Sequence, residues 1–144
     1  MSLASNKKIH HDYEVLEKYS AGIELLGHEV KSIRNGQVSL VGGKVILRGG
    51  EAYVVGVDIH PYQENNTNDF KTLYDKLRTR KLLFKKSELA RLYKTLEDKQ
   101  MHLLPYSLYD AHGIIKLELA LCKKLKKHDK REKIKERDFE QKGQ

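Results

Sequence analysis

The chain has 144 residues, of which 39% are hydrophobic and 33% charged, and a formal net charge of +8. This length supports one modest hydrophobic core but not two domains, and the single cysteine excludes an internal disulfide. No apolar run approaches the about 20 residues of a membrane-spanning helix, and residues 1–11 lack the apolar stretch of a signal peptide. We therefore expect one cytoplasmic domain.

The first predicted strand follows a polar and basic arm at residues 6–11. Tyr13, Val15 and Tyr19 recur at even spacing, as they do in a strand with one apolar face. Ser20-Ala21-Gly22 is expected to interrupt this strand. Residues 29–34 then suit one or two helical turns.

Three short segments rich in β-branched residues predict further strands at residues 38–41, 44–48 and 51–57. Gly49-Gly50 separates the last two segments and predicts a two-residue hairpin turn, because both glycines tolerate positive φ. Gly42-Gly43-Lys44 lacks the first glycine and the Ser or Thr of a phosphate-binding loop, so we interpret it as a turn that enters a strand.

The second half of the chain begins with a polar segment, residues 61–79, which predicts a long mobile loop with a short helix around Phe70 to Leu77. After Ser87, which we expect to cap a helix, apolar residues recur at i, i+3, i+4 and i+7: Leu89, Leu92, Tyr93 and Leu96. Residues 103–109 and 114–121 then predict a hairpin. Many short strands and one strong helix indicate a mainly β fold, an antiparallel closed barrel with flanking helices.

The last segment, residues 123–144, contains ten Lys or Arg and five Asp or Glu, which gives +5 of the total charge of +8. Its only large apolar residues are Leu125, Ile134 and Phe139, too few to offset the entropy of ordering the backbone. We expect residues 1–122 to form the barrel, and residues 123–144 to be disordered until a polyanion binds them. The alternative is a solvated tail that only keeps the protein soluble.

Residues for catalysis or metal binding do not form a recognisable pattern in the sequence. The seven histidines are scattered, and no Cys and His group has the spacing of a zinc site. Cys122 suits a packed side chain better than a nucleophile, and Glu29 has no evident partner for acid–base chemistry. We therefore expect no metal, no cofactor and no enzyme activity.

Several strings match one known family in order across residues 6–138. They include Asn6-Lys7-Lys8, His11-Asp12-Tyr13, Ala21-Gly22-Ile23, Gly27-His28-Glu29-Val30-Lys31-Ser32-Ile33-Arg34, Gly50-Glu51-Ala52, Arg78-Thr79-Arg80-Lys81-Leu82-Leu83 and His128-Asp129-Lys130-Arg131. Each string alone is weak, but their order and spacing together are highly specific. The chain resembles SmpB, the family of bacterial SsrA-binding proteins.

The resemblance implies an oligonucleotide-binding-like (OB-like) barrel that binds the tRNA-like domain of transfer-messenger RNA, or SsrA RNA, and delivers it to stalled ribosomes. This process, trans-translation, rescues the ribosome and tags the unfinished peptide. The resemblance also implies that the tail becomes helical in the mRNA channel. The residues alone indicate only RNA binding, so a general ribosome-associated RNA-binding protein or RNA chaperone is the alternative, and an RNA-processing enzyme is third. We expect a monomer when the protein is free.

The matched strings suggest two sets of contact residues. The RNA-binding set in the barrel comprises cations for phosphates, rings for unpaired bases and one carboxylate: Lys7, His11, Tyr13, Glu29, Lys31, Arg34, Arg78, Arg80, Lys81, Lys116 and Lys123. The resemblance places the tail set at the decoding centre and mRNA channel of the ribosome: His128, Asp129, Lys130, Arg131, Ile134, Lys135 and Arg137.

Four positions depart from the usual pattern of the family. Ser20 replaces Glu, so a carboxylate contact is not carried over to it. Lys85 replaces Asn or His, which exchanges a contact with a base for one with a phosphate. Lys124-Leu125 replaces Gly-Lys, which predicts a stiffer junction between barrel and tail. Gly42-Gly43-Lys44 replaces a common Asp-Ser-Tyr, with little expected effect.

Overall fold

The computed structural model describes residues 2–62 and 73–126. In chain order its helices and strands are β1 (Ser2–Ser5), α1 (Ile9–Asp12), β2 (Tyr13–Ile23), α2 (Gly27–Arg34), β3 (Val38–Ser39), β4 (Lys44–Arg48), β5 (Glu51–Val55), β6 (Asp58–Ile59), β7 (Arg80–Leu83), α3 (Lys86–Thr95), β8 (Met101–Ala111) and β9 (Ile114–Lys124). Within the described residues the fold is mainly β, as the sequence predicted, and it contains three short helices.

One antiparallel sheet of seven strands forms the body, in the order β1-β8-β9-β2-β7-β5-β4, and β3 pairs separately with β6. The long strands β2, β8 and β9 lie next to one another near its centre. Alternate residues of β9 are buried in the core, as predicted: Ile115, Leu117, Leu119 and Leu121. The opposite face of β9 is not wet throughout, because Ala120 and Cys122 are also buried.

The predicted barrel is not closed, because the hydrogen-bonded sheet ends at β1 on one side and at β4 on the other. A cleft lined by residues 44–47 and 101–104 lies between β4 and the first half of β8. Two features of β8 account for the missing ladder. Its second half already pairs with β1 through Ser107–Tyr109, and Pro105 has no N–H to donate. The result is a curved open sheet.

Several predicted element boundaries differ from the structure. The Ser20-Ala21-Gly22 segment continues β2 instead of interrupting it. Ser87 does not cap α3, which begins at Lys86, and the N–H of Lys85 donates to the Glu88 carboxylate instead. A positive φ of 77° at Gly56 divides the predicted strand at residues 51–57 into β5 and β6. Of the predicted loop at residues 61–79, residues 63–72 lie outside the described ranges.

The central strands contain two β-bulges, each with one unpaired extra residue. In β2 the extra residue is Leu16, because Val15 and Glu17 pair with consecutive residues of β9. In β8 it is Tyr106. Side chains alternate between the two faces of a strand. An extra residue therefore reverses which face each later side chain points to, relative to a strand without the bulge. The bulge at Leu16 places Tyr13 on the same face as Lys18.

Strand β9 continues beyond the predicted domain boundary at Cys122. It ends at Lys124, and Leu125, at 8% exposure, is buried. The departure at Lys124-Leu125 thus places an apolar side chain at the junction. The seven predicted tail contacts, from His128 to Arg137, lie outside the described residues. No helix in the two described ranges is long and apolar enough to cross a membrane.

Candidate nucleic-acid interface

A buried carboxylate connects α2 to β7. Glu29 lies in the first turn of α2, and both of its oxygens accept hydrogen bonds. The donors are Leu26 N at 2.7 Å, Tyr74 Oη at 2.7 Å, Arg80 Nε at 2.8 Å and Arg78 Nε at 3.0 Å. Since these donors come from three segments of the chain, Glu29 fixes the position of α2 relative to β7.

The hydrogen bonds determine the charge of this group. Burial alone raises the pKa of Glu29, but hydrogen bonds from Arg78, Leu26, Arg80 and Tyr74 outweigh burial and lower that pKa from 4.5 to about 2. Burial and the hydrogen bond to Glu29 raise the pKa of the Tyr74 hydroxyl to about 12. Glu29 is therefore ionised at neutral pH, and Tyr74 is a neutral donor.

The geometry does not support direct RNA contacts by two of the predicted residues, Glu29 and Arg80. Glu29 and Arg80 are both 0% exposed, so neither side chain reaches a ligand on the surface. Arg80 donates to Glu29, and also to Val57 O at 2.9 Å and Lys76 O at 3.1 Å. The buried guanidinium of Arg80 thus pairs with the buried carboxylate of Glu29, although the two residues belong to different matched strings. Their role is to position the half-buried Arg78, which also donates to Glu29.

Five predicted cations lie around this network or on the neighbouring strands, and we name them the α2–β7 surface: Lys31, Arg34, Arg78, Lys81 and Lys116. Several have partners within the protein. Arg34 donates to Asp110 at 2.8 Å and to Gly113 O at 3.2 Å, so it joins α2 to the β8–β9 turn. The Arg34 guanidinium lowers the pKa of Asp110. Lys81 Nζ lies 3.8 Å from Glu51, and Lys31 Nζ lies 5.5 Å from the centroid of the Tyr62 ring. Ordered cations are well suited to bind phosphates at fixed positions.

The other four predicted residues lie near the opposite end of β2, and we name them the arm surface: Lys7, His11, Tyr13 and Lys123. Lys7, His11 and Lys123 are exposed. The half-buried Tyr13 ring lies edge-on to His102, with 5.6 Å between the ring centroids. Lys123 is the β9 neighbour of Glu14.

Strand β2 separates the two surfaces. Tyr13 begins the strand, and Gly22, near its other end, pairs with Lys116. At about 3.3 Å per residue, the 11 residues of β2 span roughly 35 Å. The structure therefore divides the single predicted RNA-binding set into two basic surfaces at opposite ends of one strand.

A cluster that the sequence did not predict lies beside the arm surface. His10 Nε2 lies 2.8 Å from the Tyr106 hydroxyl, and Lys18 Nζ lies 4.2 Å from the centroid of the Tyr106 ring. His102 lies on the same strand as Tyr106. No local pattern in the sequence indicates this cluster, because His10, Lys18 and Tyr106 belong to three separate elements.

The departures at Ser20 and Lys85 have local explanations. The Ser20 hydroxyl hydrogen-bonds to the Tyr109 hydroxyl, and Ser20 is the β2 neighbour of Glu118. A Glu at position 20 would face that carboxylate, and like charges on opposite positions are unfavourable. Lys85 is exposed immediately before α3, where its side chain is accessible to a phosphate.

Neither a metal-binding cluster nor a reactive thiol is found among the described residues. Within residues 2–62 and 73–126, no three His, Cys, Asp or Glu side chains form a cluster suited to a metal ion. Burial raises the pKa of the Cys122 thiol to about 12, so the thiol is protonated at neutral pH and is a poor nucleophile.

Comparison with known proteins gives a consistent set of similarities. A family model described as SmpB protein matches residues 3–144. An SsrA-binding protein of Nostoc punctiforme is 43% identical over 135 residues, which cover 94% of this chain and 85% of that protein. An SsrA-binding protein of Azoarcus sp. (strain BH72) is 42% identical over 144 residues, which cover 100% of this chain and 95% of that protein. A solved structure described as "tmRNA-SmpB: a journey to the center of the bacterial ribosome" has a TM-score of 0.71 and 36% identity, and the match covers 91% of this chain and 93% of the solved one.

Proposed function

The chain belongs to the SmpB family, and on that premise we propose that it binds the tRNA-like domain of transfer-messenger RNA and delivers this RNA to stalled ribosomes. Its role is then trans-translation, the rescue of the ribosome with tagging of the unfinished peptide. The names of the relatives as SsrA-binding proteins and the description of the solved relative with tmRNA and the bacterial ribosome support this proposal.

The observation that carries the proposal is the separation of the α2–β7 surface from the arm surface. An adaptor must contact its own RNA and a second RNA partner at the same time. Two basic surfaces at opposite ends of β2 permit this, whereas one continuous patch would favour one partner. Their cations supply the phosphate contacts that orient an RNA.

We assign the tRNA-like RNA to the α2–β7 surface. Its cations are positioned by partners in the protein: Arg78 by Glu29, Arg34 by Asp110 and Lys81 by Glu51. Positioned cations recognise the shape of a folded RNA, because they fix the distances between the bound phosphates. Glu29 and Arg80 contribute indirectly, by orienting α2 and Arg78.

The tail completes the proposal. Residues 123–144 lie within the family match, which extends to residue 144. We propose that the part of the tail after Lys126 becomes helical at the decoding centre and in the mRNA channel, whereas residues 123–125 belong to the barrel. Its contacts there are His128, Asp129, Lys130, Arg131, Ile134, Lys135 and Arg137.

A binding titration tests the assignment of the tRNA-like RNA. The full chain is titrated with the tRNA-like domain in the presence of a plain RNA hairpin as competitor. Replacing Lys31 and Arg34 together by Ala is expected to weaken binding about 10-fold or more, because hydrogen bonds to charged groups contribute about 1.5–3 kcal/mol each. Unchanged affinity would show that this surface does not bind the RNA.

A matched control removes two cations elsewhere. Arg91 and Lys94 are exposed on α3, and replacing both by Ala is expected to leave the affinity nearly unchanged. Melting curves of both double variants show whether the fold is retained, which matters for Arg34 because it bonds to Asp110.

The alternative, a general ribosome-associated RNA-binding protein or RNA chaperone, predicts a different result in the same titration. A chaperone binds the hairpin competitor about as well as the tRNA-like domain. An adaptor is expected to prefer the folded tRNA-like RNA by orders of magnitude.

We further propose that the protein acts in the cytoplasm as a monomer without enzyme activity. The names of the relatives, SsrA-binding proteins, support the absence of enzyme activity. We also infer that the curved sheet is an open variant of the OB fold. The proximity of β4 to β8 across their cleft supports that inference.

A further inference from the structure

A cleft of about 410 Å³ lies between the polar arm and the turn that enters β4. Lys8 and Tyr13 line it on one side, Val41 and Lys44 on the other, and His102 of β8 also contributes. Small-ligand sites in proteins have volumes of about 300–1,000 Å³, so the cleft is large enough for a nucleotide. Of its lining residues, only Tyr13 belongs to the RNA-binding set predicted from the sequence.

An unsatisfied buried acceptor lies at this cleft. Asn6 lines the cleft and is 7% exposed, and its Oδ1 has no hydrogen-bond donor among the described residues. The backbone N–H of Asn6 donates to Tyr106 O at 2.7 Å, which fixes the residue just after β1. Buried polar atoms in native proteins usually have partners, so an exception calls for a water or a ligand that donates a hydrogen bond.

The rest of the lining suits a flat base with a phosphate outside it. Ile9 and Leu104 provide apolar contacts, and the Tyr13 ring provides an aromatic surface. Lys8 and Lys44 are exposed, so their ammonium groups are available at the opening. Asp12 also lines the cleft, and its carboxylate disfavours a bare anion in the interior.

We propose that this cleft binds one unpaired nucleotide of an RNA, with the base donating a hydrogen bond to Asn6 and the phosphate between Lys8 and Lys44. The inference rests on the proposed function, since it adds a nucleotide site to an RNA-binding protein. Amino and imino groups of bases supply the donor that Asn6 lacks. Sequence-specific recognition of RNA commonly uses unpaired bases on aromatic rings in this way. Lys44, one of the departures from the usual family pattern, supplies one of the two cations.

An NMR titration of the full chain with nucleoside 5′-monophosphates tests the site, with inorganic phosphate as the comparison probe. The nucleotides are expected to shift the Asn6 side-chain amide and Tyr13 ring signals in a saturable way, and inorganic phosphate is not. Lys44→Glu is expected to weaken nucleotide binding about fivefold or more, since one partly exposed ion pair is lost and a repulsion is added. Lys94→Glu, on the exposed face of α3, is the matched control. Absence of a saturable Asn6 shift, or an equal shift with phosphate alone, would overturn the site.

Thiol labelling identifies which RNA supplies the nucleotide. Val41 is 54% exposed beside the cleft, so Val41→Cys introduces a reactive thiol, whereas the buried Cys122 reacts slowly. Protection from a maleimide by the tRNA-like domain indicates transfer-messenger RNA, and protection by small ribosomal subunits indicates ribosomal RNA. If both bind the protein and neither protects the thiol, the inference is wrong and the proposed function stands. If the tRNA-like domain does not bind at all, the proposed function fails instead, and the nucleotide titration still decides the inference.

Discussion

The backbone N–H of Leu125 donates a 2.8 Å hydrogen bond to the carbonyl oxygen of Asp12. This bond joins the chain after β9 to the end of α1, and the Leu125 side chain is buried at the same junction. The arm surface is therefore built from both ends of the described chain, with Lys7 on one side and Lys123 on the other. The globular part therefore includes residues 123–125, which directly follow Cys122.

A chain that ends at Lys126 is expected to keep its stability and its affinity for the tRNA-like RNA. A chain that ends at Cys122 loses the last pairs of β9 and the buried Leu125. Burial of a leucine side chain contributes about 1.5–3 kcal/mol, so the free energy of unfolding is expected to fall by about that amount or more. Urea denaturation of both chains measures the difference, and equal stabilities would contradict the prediction. Leu125→Ala in the full chain separates the side-chain contribution from that of the strand.

Replacing Asp129, Lys130 and Arg131 together by Ala is expected to abolish peptide tagging in a stalled-ribosome translation assay. These positions lie outside the described residues and, under the proposed function, contact the ribosome. The melting curve and the affinity for the tRNA-like RNA should remain near normal, because neither depends on the tail. Normal tagging by this variant would show that the barrel and the tail do not have separate roles.

Acid is expected to destabilise the protein partly through Glu29. The pKa of Glu29 is about 2 in the folded protein and ordinarily 4.5, so its stabilising contribution is complete above about pH 5 and is lost as the pH falls towards 2. The shift corresponds to on the order of 3 kcal/mol. Glu29→Gln removes this titration and leaves Arg80 without its carboxylate, which is expected to cost about 3–5 kcal/mol at pH 7.

Urea denaturation at pH 7 and pH 3 measures both effects. The unmodified protein should lose more stability than Glu29→Gln between these two pH values, because the other carboxylates titrate alike in both proteins. An identical loss in the two proteins would mean that Glu29 is not the group responsible.

Gly56→Ala is expected to destabilise the protein more than Gly36→Ala does. Both glycines have similar positive φ angles, 77° and 75°, so the backbone strain is comparable at about 1 kcal/mol or slightly more. A Cβ at position 56 would also lie 2.7 Å from Gly42 O, whereas a Cβ at position 36 would have no atom within 4 Å. Thermal denaturation of the pair isolates the effect of the close approach. Equal losses would indicate that the turn before β4 moves away freely.

Binding of the tRNA-like RNA is expected to weaken steeply with salt. Four or five phosphate contacts predict a slope of log K against log salt of roughly −3 to −4, at about 0.7 per contact. Replacing both Lys31 and Arg34 by Ala should make the slope less steep by about 1.4. Affinity measured at four or more salt concentrations tests this. A nearly flat response of the unmodified protein would mean that stacking and shape, and not charge, dominate the binding.

The sequence predicted much of the fold from local patterns. The alternation of Ile115, Leu117, Leu119 and Leu121 predicted one buried face of β9, and the apolar spacing around Leu92 predicted α3. The openness of the sheet depends on how β8 pairs with β1 and on the missing ladder between β8 and β4, and local patterns do not record pairings between distant segments. Likewise, the Ser20-Ala21-Gly22 segment remains a strand because β9 and β7 pair with it on both sides.

The candidate interface was predicted residue by residue but not in its arrangement. The matched strings identified Glu29 and Arg80 but did not show that the two side chains form a buried ion pair. That outcome depends on the position of α2 against β7, between residues 51 positions apart in the sequence. The cluster of His10, Lys18 and Tyr106 was missed for the same reason, since its members come from three separate elements.

The single extra residue at Leu16 determines which side of the sheet the Tyr13 ring faces. Deleting it would restore regular pairing between β2 and β9 and turn Tyr13 from the outer side of the sheet towards the core, without changing the identity of any other side chain. The side of the molecule on which the arm's aromatic ring is displayed is thus set by the number of residues in a strand. A change in length of one residue in β2 would therefore move the Tyr13 ring to the other side of the sheet without any substitution in the arm itself.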